Sequence, residues 1–300
     1  MLLCQAAAAR PEGSLSPVDD ALVTDMARRL DPVLAAIEAW GADHAAAAVV
    51  AATGTVAQHG DLAHSYRWAS VTKLVTALTV LIGVERGMLA LDEAAGPPGS
   101  TVRHLLAHAS GLAFEGDAIL AAPGRRRIYS NPGFDALGAL VAERAGRPFE
   151  AALRDWVLVP LEMTGTTLVE RPSQGLCGPL TDLVAFAVEL LHPTLADPAT
   201  LAEATGVAFP GLPGVLPGVG RFDPCDWGLG FELHDGKAPH WMGSANSPAT
   251  FGHFGGAGTF LWIDPDAQLG LATLTDREFG PWALEVWPRF SDEVLSAAGS

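Results

Sequence analysis

The strongest hydrophobic pattern in the chain lies just after residue 70. Apolar residues recur there at three- and four-residue spacing, and others fill a second face: Val71, Leu74, Val75, Leu78, Leu81, Ile82 and Val84. The spacing is typical of a helix, and the second apolar face indicates that the helix is buried. Arg86 and Gly87 are typical of a helix end. We predict a short strand at Tyr66 that turns at Ser70 into a buried central helix.

The rest of the chain predicts strands near both ends and helices between them. Alternating or β-branched apolar runs predict strands at residues 45–52, 55–59, 64–68, 228–233, 258–263 and 269–274. Helical spacing predicts helices at residues 17–40, 101–110, 134–145, 149–157, 181–191, 199–205 and 281–298. No internal repeat is visible, so the order of elements is the main guide to the fold.

Glycine and proline are concentrated in two stretches, residues 92–100 and 210–220, which is typical of chain crossings. Strands from the two ends can pair only if both termini build one sheet. We therefore predict an α/β fold of the α+β type, with an antiparallel sheet flanked by helices. Residues 1–95 and 221–300 would form this discontinuous domain, and residues 96–220 an inserted helical domain. The cleft between them is the expected site.

The composition is that of a folded protein with a large core, with 49% hydrophobic and 17% charged residues. The net charge of −16 argues against a nucleic-acid partner, because phosphate binding needs clustered Lys and Arg. One basic cluster occurs, Arg125-Arg126-Arg127. A solvated loop is our first interpretation of it, and a rim contact for an anionic substrate is the alternative.

Cysteine and histidine usage argues against a metal cofactor. Cys4, Cys177 and Cys225 are widely spaced without a CxxC motif, so neither a disulfide framework nor a zinc site is expected. His104 and His108 have metal-ligand spacing but no third ligand follows, and we interpret them as structural. The chain start lacks the basic region of a signal peptide, and no apolar run could span a membrane. We expect a soluble cytoplasmic protein of undetermined oligomeric state.

Ser70 and Lys73 are the first candidates for chemistry, because residues three apart share one face of a helical turn. The start of a helix carries partial positive charge and free N–H groups, which stabilise an alkoxide-like serine. A desolvated Lys73 would release its proton more easily and could accept or relay that of Ser70. The alternative, commoner for an isolated Ser-x-x-Lys, is a capping serine and a lysine that reaches water.

A second candidate stretch is Tyr129-Ser130-Asn131, on a predicted loop before a helix. Close to Lys73, the phenolate form of Tyr129 would be favoured. The tyrosine could then deprotonate Ser70 and later protonate a leaving group. The Asn131 amide could hold both Lys73 and a substrate carbonyl. The alternative is that this stretch, followed by Pro132-Gly133, is only a turn.

A third candidate stretch is the glycine-rich run at residues 252–258, just before a predicted strand. Glycine lets the backbone approach a ligand closely, so the N–H groups of Gly256 and Ser70 could together bind an oxyanion. His253 could supply a positive charge or a hydrogen bond. The alternative is a bend with a half-buried histidine.

In this order, the three stretches resemble the motifs of the serine β-lactamase and penicillin-binding-protein superfamily. The motifs are Ser70-Val71-Thr72-Lys73, Tyr129-Ser130-Asn131 and His253-Phe254-Gly255. The similarity is strongest to the class C-like branch, which also contains DD-peptidases and carboxylesterases. Flanking segments resemble the same branch, so that the resemblance covers about residues 45–280, including residues 105–112, 160–166 and 252–265.

The resemblance implies a two-lobe fold and an acyl-enzyme mechanism without metal or organic cofactor. Ser70 would be acylated, while Lys73 and Tyr129 would move protons. The residues implied in oxyanion or substrate binding are Ser70, Gly256, Asn131 and His253.

One departure from the family pattern bears on the substrate. Many relatives carry Lys-Thr-Gly or His-Thr-Gly in the third motif, where a cation and a hydroxyl resemble a carboxylate clamp. Here Phe254 replaces the hydroxyl residue, and His253 is expected to be mostly neutral. We therefore expect a neutral small-molecule carboxylic ester. The alternatives are β-lactam or D-amino-acid peptide hydrolysis, and a non-catalytic binding relative. The absence of Gly-x-Ser-x-Gly argues against an α/β-hydrolase.

Overall fold

The structure, a computed structural model, describes residues 17–299, with side chains from residue 22 onward. The strands β1–β12 are, in chain order, Ala45–Ala51, Gly54–Gly60, Tyr66–Arg67, Arg127–Ile128, Thr167–Leu168, Leu176–Gly178, Gly214–Leu216, Gly220–Phe222, Glu232–Leu233, Phe251–Gly255, Thr259–Asp264 and Leu269–Thr275. The helices α1–α8 are Pro17–Leu34, Thr72–Glu85, Val102–Leu106, Asn131–Ala145, Phe149–Leu153, Leu180–Leu191, Pro198–Ala204 and Pro281–Gly299. Ala35–Trp40 and Ala69–Val71 are 3₁₀ helices, and Arg154–Leu158 is a π-helix.

Six strands form one antiparallel sheet in the order β2-β1-β12-β11-β10-β9. β1 and β2 come from the N-terminal part of the chain and the other four from the C-terminal part, so both ends build the sheet. The predicted mixed fold with an antiparallel sheet flanked by helices is confirmed. The division into residues 1–95 with 221–300 and an inserted domain at 96–220 stays a prediction. One helix of the predicted insert, α6, packs against β1 and β12.

Both faces of the sheet are covered, which explains why its central strands β1, β11 and β12 are largely apolar. Ala46, Ala48 and Val50 of β1 belong to a core that includes α2, α4 and α6. Ala47 and Val49 belong to a second core, with α1 and α8. Because successive side chains of a strand point to opposite faces, β1, β10, β11 and β12 each contribute to both cores.

The central helix α2 is enclosed by the first of these cores. Every residue from Thr72 to Gly83 is buried, as the sequence predicts. The buried hydroxyls are satisfied by carbonyl groups, with Thr76 Oγ1 2.7 Å from the Pro172 oxygen and Thr79 Oγ1 2.8 Å from the Val75 oxygen. A buried helix with satisfied polar groups is a rigid support for the residues at its start.

The structure differs from the expectations at three places. A further strand, β10 at Phe251–Gly255, precedes the strand predicted at residues 258–263, so the alternative of a bend is wrong for these residues. Its glycines admit close neighbours instead: a Cβ at Gly252 would lie 2.0 Å from the Leu261 carbonyl oxygen. The strand predicted at 228–233 is reduced to β9. The strand predicted at 64–68 is reduced to β3, which pairs with β6 outside the main sheet.

Two predictions about the chain as a whole concern membranes and cysteines. Searching residues 17–299 finds no helix with the length and apolar character needed to cross a membrane. Cys177 and Cys225 are free thiols. Cys4 and the N-terminal segment assessed as a signal peptide lie outside the described residues.

Gly255 is expected to tolerate no side chain, because a Cβ there would lie 2.4 Å from both the Trp68 carbonyl oxygen and Thr259 Oγ1. At Gly256 no atom lies within 4 Å of the added Cβ. We expect Gly255→Ala to lower the free energy of unfolding by about 1–3 kcal/mol, and Gly256→Ala by less than about 0.5 kcal/mol. Urea unfolding followed by circular dichroism measures both. Equal stability of the two variants would contradict this close packing.

Candidate active site

Ser70 lies in the 3₁₀ turn between β3 and α2, where the chain enters the buried helix. The preceding Ala69 has a φ of 46°, in the left-handed region that non-glycine residues rarely adopt. Trp68 anchors this turn: its indole N–H donates to the Gly178 carbonyl at 3.1 Å, and its own carbonyl accepts from Thr259 Oγ1 at 2.9 Å. The strained turn is therefore held in place by neighbouring strands.

Lys73 lies on the first turn of α2, fully buried, with three polar neighbours. Its Nζ is 2.6 Å from Asn131 Oδ1, 2.7 Å from the Ser173 carbonyl oxygen and 3.2 Å from Ser70 Oγ. Burial lowers the Lys73 pKa from 10.5 to about 7. The prediction that desolvation makes Lys73 release its proton more easily is confirmed.

The hydrogen-bonding character of these neighbours decides whether the Lys73 amine donates a hydrogen bond to Ser70 or accepts one from it. The Asn131 amide oxygen and the Ser173 carbonyl oxygen can only accept hydrogen bonds. A neutral amine that donates its two hydrogens to them has its lone pair left for the Ser70 hydroxyl. A protonated amine donates to Ser70 Oγ as well and cannot accept its proton. The direction of the Ser70–Lys73 hydrogen bond thus depends on the charge of Lys73.

A chain of polar contacts orients the Asn131 amide. Asn131 Nδ2 donates to Glu115 Oε1 at 2.7 Å, which turns Oδ1 towards Lys73. Arg171 donates to both oxygens of Glu115, each at 3.2 Å. The sequence analysis missed Glu115, Arg171 and the Ser173 carbonyl. No motif marks them, because two lie on loops far along the chain and the third contributes only a backbone atom.

Tyr129 is buried beside Lys73, whose Nζ lies 4.8 Å from the centre of the phenol ring. The Tyr129 hydroxyl is 3.2 Å from His253 Nε2. Burial raises the Tyr129 pKa well above 10, and interaction with the Ser70 hydroxyl opposes this only in part. The predicted phenolate is therefore wrong: desolvation disfavours the anion, and the phenol stays protonated at neutral pH.

His253 acts as a neutral hydrogen-bond acceptor. Its Nδ1 is 2.6 Å from the Phe254 carbonyl oxygen, which can only accept, so Nδ1 carries the proton. Nε2 is then free to accept the Tyr129 hydroxyl. Burial, with the nearby charge of Lys73, lowers the His253 pKa to about 3. Neutral His253 is confirmed, and of the two roles considered for it, the positive charge is wrong.

His108 supports the second motif from behind. Its Nδ1 accepts the Ser130 backbone N–H at 3.1 Å, and its ring centre lies 4.4 Å from that of Tyr129. Burial holds the His108 pKa well below 6.5, so the ring is neutral and able to accept. The sequence singled out His104 and His108 as structural, and His104 contacts Thr101 Oγ1 at 2.9 Å.

Gly256 follows directly after the end of β10, whose last residue packs against the turn that precedes Ser70. Gly256 and Ser70 line one cavity of about 230 Å³, here called the Ser70 cavity. Within residues 17–299, no backbone acceptor takes the Gly256 N–H. Ser70 and Gly256, whose N–H groups are the predicted oxyanion donors, thus line the same small space.

The walls of the Ser70 cavity are mainly apolar. They are formed by Ser70, Phe114, Tyr129, Leu216, Pro217, Gly218, His253, Phe254, Gly256 and Phe279. In the part of the chain that the structure describes, no charged side chain lines it. Phe254, the residue that departs from the family pattern, packs against Phe279 with ring centres 4.6 Å apart. The third motif therefore contributes a ring and a neutral imidazole, and neither a cation nor a hydroxyl.

A larger cavity of about 530 Å³ adjoins the Ser70 cavity and shares Phe114, Tyr129 and Pro217 with it. We call it the arginine cavity, because Arg126, Arg127 and Arg221 line it. Our first interpretation of the basic cluster, a solvated loop, is wrong for Arg127, which is 2% exposed.

One cluster of metal-ligand type occurs on the surface. Ligand atoms of His44, Asp61 and His64 all lie within 4.8 Å of one another, with His44 Nδ1 3.0 Å from Asp61 Oδ2. The two imidazole rings stack with centres 3.9 Å apart. None of these residues lines the Ser70 cavity.

Comparison with known proteins agrees with the resemblance to the β-lactamase superfamily. A model of the β-lactamase family matches residues 36–295. The crystal structure of a β-lactamase from Mycobacterium bovis is 49% identical, with a TM-score of 0.87, over 89% of this chain and 99% of that protein.

Two more distant structures share the fold. EstCE1, a hydrolase with promiscuous acyltransferase activity, is 17% identical over 92% of this chain and 100% of its own, with a TM-score of 0.73. Simvastatin synthase (LovD) from Aspergillus terreus is 18% identical over 91% of this chain and 98% of its own, with a TM-score of 0.70. With the family match over most of its length and the close M. bovis relative, this chain belongs to the β-lactamase family of serine hydrolases.

Proposed function

We propose that the protein is a serine hydrolase that forms an acyl-enzyme on Ser70 and acts on small carboxylic esters. The main support is the buried Lys73 amine, 3.2 Å from Ser70 Oγ and with a pKa near neutrality. Its other hydrogen-bond partners, Asn131 and Ser173, leave the free base facing the serine. A buried lysine is unfavourable for stability, so its placement here is best explained by chemistry.

In the proposed acylation, neutral Lys73 takes the Ser70 proton as Oγ attacks the ester carbonyl carbon. The N–H groups of Ser70 and Gly256 stabilise the oxyanion that forms. The carbon–oxygen bond to the alcohol then breaks. The departing alkoxide receives the proton from Lys73 through the Tyr129 hydroxyl, and the acyl group stays on Ser70.

Deacylation uses the same groups in reverse. A water molecule attacks the acyl carbonyl while neutral Lys73, through Tyr129, takes one of its protons. The bond to Ser70 Oγ breaks and the serine oxygen recovers that proton. Before the reaction His253 accepts the Tyr129 hydroxyl, which holds the phenol oxygen beside the reacting atoms; during each proton transfer this hydroxyl turns from His253 to the alkoxide or to Lys73.

The uncharged Ser70 cavity supports an ester as substrate. A β-lactam or a peptide C-terminus carries a carboxylate near the reacting bond, and a neutral His253 beside Phe254 offers it no cation. Hydrolysis of a β-lactam or D-amino-acid peptide is the second candidate, because the 49% identical M. bovis protein is described as a β-lactamase. A non-catalytic binding role is disfavoured, because Ser70, Lys73 and Tyr129, the three groups that would move protons, are all retained.

A fluorophosphonate probe should label the wild-type protein and not Ser70→Ala, because only Ser70 carries an activated hydroxyl. Lys73→Ala should lower the turnover of a short-chain nitrophenyl ester by about a thousandfold or more, since the base is lost. Intact-protein mass spectrometry and ester assays measure these effects, with thermal unfolding as the folding control. Equal labelling of wild type and Ser70→Ala would exclude Ser70 as the nucleophile.

The preferred substrate is tested by comparing a nitrophenyl butyrate with a chromogenic cephalosporin under identical conditions. We expect kcat/KM to be higher for the ester, because the Ser70 cavity has no charged group to bind the cephalosporin carboxylate. A far higher kcat/KM for the cephalosporin would replace the esterase proposal with the second candidate.

The pH dependence of kcat/KM should follow the protonation of the Lys73 amine. We expect it to rise about tenfold per pH unit at low pH and to level off above a midpoint near 7, because only the neutral amine accepts a proton. His253, with a pKa of about 3, should contribute no second step between about pH 5 and 9. A flat profile over this range would contradict Lys73 as the base.

Two surface variants serve as controls for that assignment. The negative charge of Glu115 raises the Lys73 pKa, and the positive charge of Arg171 lowers it. Glu115→Gln should therefore move the midpoint to lower pH and Arg171→Gln to higher pH. Both midpoint shifts should be a fraction of a pH unit, because the two side chains are half-exposed and water screens their charges. Shifts in the same direction would mean that another group controls the profile.

A further inference from the structure

The arginine cavity is built by a small sheet beside the Ser70 cavity. β4 pairs in parallel with β7, and β7 pairs antiparallel with β8. In this register Ile128, Val215 and Arg221 are direct neighbours across the three strands, so they share one face. Two of them are apolar, and Val215 is 47% exposed although its position is within a sheet. The sheet thus presents an apolar strip that ends at an arginine.

Close packing fixes where the basic cluster lies on this sheet. Gly214 is opposite Arg127, and a Cβ at Gly214 would lie 2.5 Å from the Arg127 Cβ. The guanidinium of Arg127 is buried and donates to the carbonyls of Ala107 at 2.6 Å and Cys225 at 3.0 Å. With Arg127 held in this way, its neighbour Arg126 is placed on the lining of the cavity.

The positive charges of this cavity have no carboxylate partner. Arg127 contacts only backbone carbonyls, and Arg126 reaches only the Leu120 carbonyl, at 3.4 Å. Among the described residues, no carboxylate lies at ion-pair distance from Arg126, Arg127 or Arg221. By contrast, several arginines elsewhere each pair with an acidic residue, namely Arg103, Arg144, Arg147, Arg154 and Arg171.

This contrast is notable in a chain with 34 acidic and 18 basic residues. Burial lowers the Arg127 pKa only to about 10, so this guanidinium is charged at neutral pH. Arg126 and Arg221 are exposed and free to turn towards a ligand. The exposed guanidiniums of Arg126 and Arg221, with the buried charge of Arg127 on the opposite face of β4, give this cavity a local positive potential in a chain with a net charge of −16.

We propose that the arginine cavity binds an anionic group, a carboxylate or a phosphate, at the end of the substrate distant from the reacting carbonyl. Arg126 and Arg221 would bind the anion, since guanidinium groups match both anions through paired hydrogen bonds. The proposal rests on the hydrolase function proposed for Ser70, whose cavity shares walls with this one.

The substrate class follows from the order of surfaces along the two cavities. The space at Ser70 is uncharged, the strip at Ile128 and Val215 is apolar, and the far lining carries the arginines. A complementary molecule has a neutral reacting ester, an apolar segment and a terminal anion. The expectation of a neutral substrate is thereby limited to the reacting end of the molecule.

The test compares esters that differ only in the distant group. One set consists of 4-nitrophenyl suberate monoester, its terminal primary amide and its terminal phosphonate analogue, which place the anion on the acyl side. A second pair places it on the leaving group: the thioacetate of 6-mercaptohexanoic acid and of its amide. For each set, the ratio of kcat/KM for the anionic and the neutral compound is measured in wild type, Arg126→Gln, Arg221→Gln and the double variant.

In at least one set we expect the wild type to prefer the anionic compound, and the double variant to lower this ratio about tenfold or more. Added salt should weaken the wild-type preference. Arg125→Gln is the matched control, because Arg125 is exposed and does not line the cavity, and its ratio should equal that of the wild type. A stronger effect with carboxylate or with phosphonate supports the proposal and identifies the anion. Ratios that do not respond to the double variant in either set would overturn it.

Binding to Ser70→Ala separates this proposal from the catalytic one. Calorimetric titration with the suberate monoester and its amide requires no turnover. Preferential binding of the anion that is lost in Ser70→Ala/Arg126→Gln/Arg221→Gln, without hydrolysis by the wild type, would retain the anion site and reject the hydrolase. Hydrolysis of neutral esters by the wild type, without any arginine-dependent preference, would retain the hydrolase and reject the anion site.

Discussion

The structure depends on one unfavourable placement, a lysine amine enclosed at the start of a buried helix. Lys73 is fully buried and has two partners that only accept hydrogen bonds, the Asn131 amide oxygen and the Ser173 carbonyl. These partners come from α4 and from the loop between β5 and β6, so three separate parts of the chain must pack together to enclose the amine. The same packing that desolvates Lys73 therefore sets its pKa and aims its lone pair at Ser70.

Around this amine, burial assigns a different protonation state to each group. The Tyr129 phenol is kept protonated and His253 is kept neutral, so Lys73 is the group of the three that titrates near pH 7. No strong counter-ion within the Ser70 cavity competes with this arrangement. Charged groups act from outside it, through Glu115 and Arg171, which adjust Lys73 over a distance and orient Asn131. The reacting centre therefore stays apolar, while charges outside it can still shift the pKa of Lys73.

The proposed substrate is divided in the same way, into an uncharged reacting end and a charged distant end. Membership of the β-lactamase family establishes the fold and a serine hydrolase framework, and structures with this fold include a hydrolase with promiscuous acyltransferase activity and a simvastatin synthase. Phe254 lines the cavity at Ser70, and Arg126 and Arg221 line the cavity that adjoins it. In the proposed function, chemistry at the reacting bond and recognition of the rest of the substrate are therefore carried by two adjoining cavities.

The sequence by itself determined the buried helix, the shared face of Ser70 and Lys73, the order of the three motifs and the strands at both ends, because each follows from spacing along the chain. Only the tertiary structure decided that β10 is a strand, that Tyr129 remains a phenol and that Arg127 is buried. It also supplied Glu115 and the Ser173 carbonyl, which no motif marks. Strand pairing and desolvation depend on atoms that are distant in sequence, so neither can be obtained from local spacing.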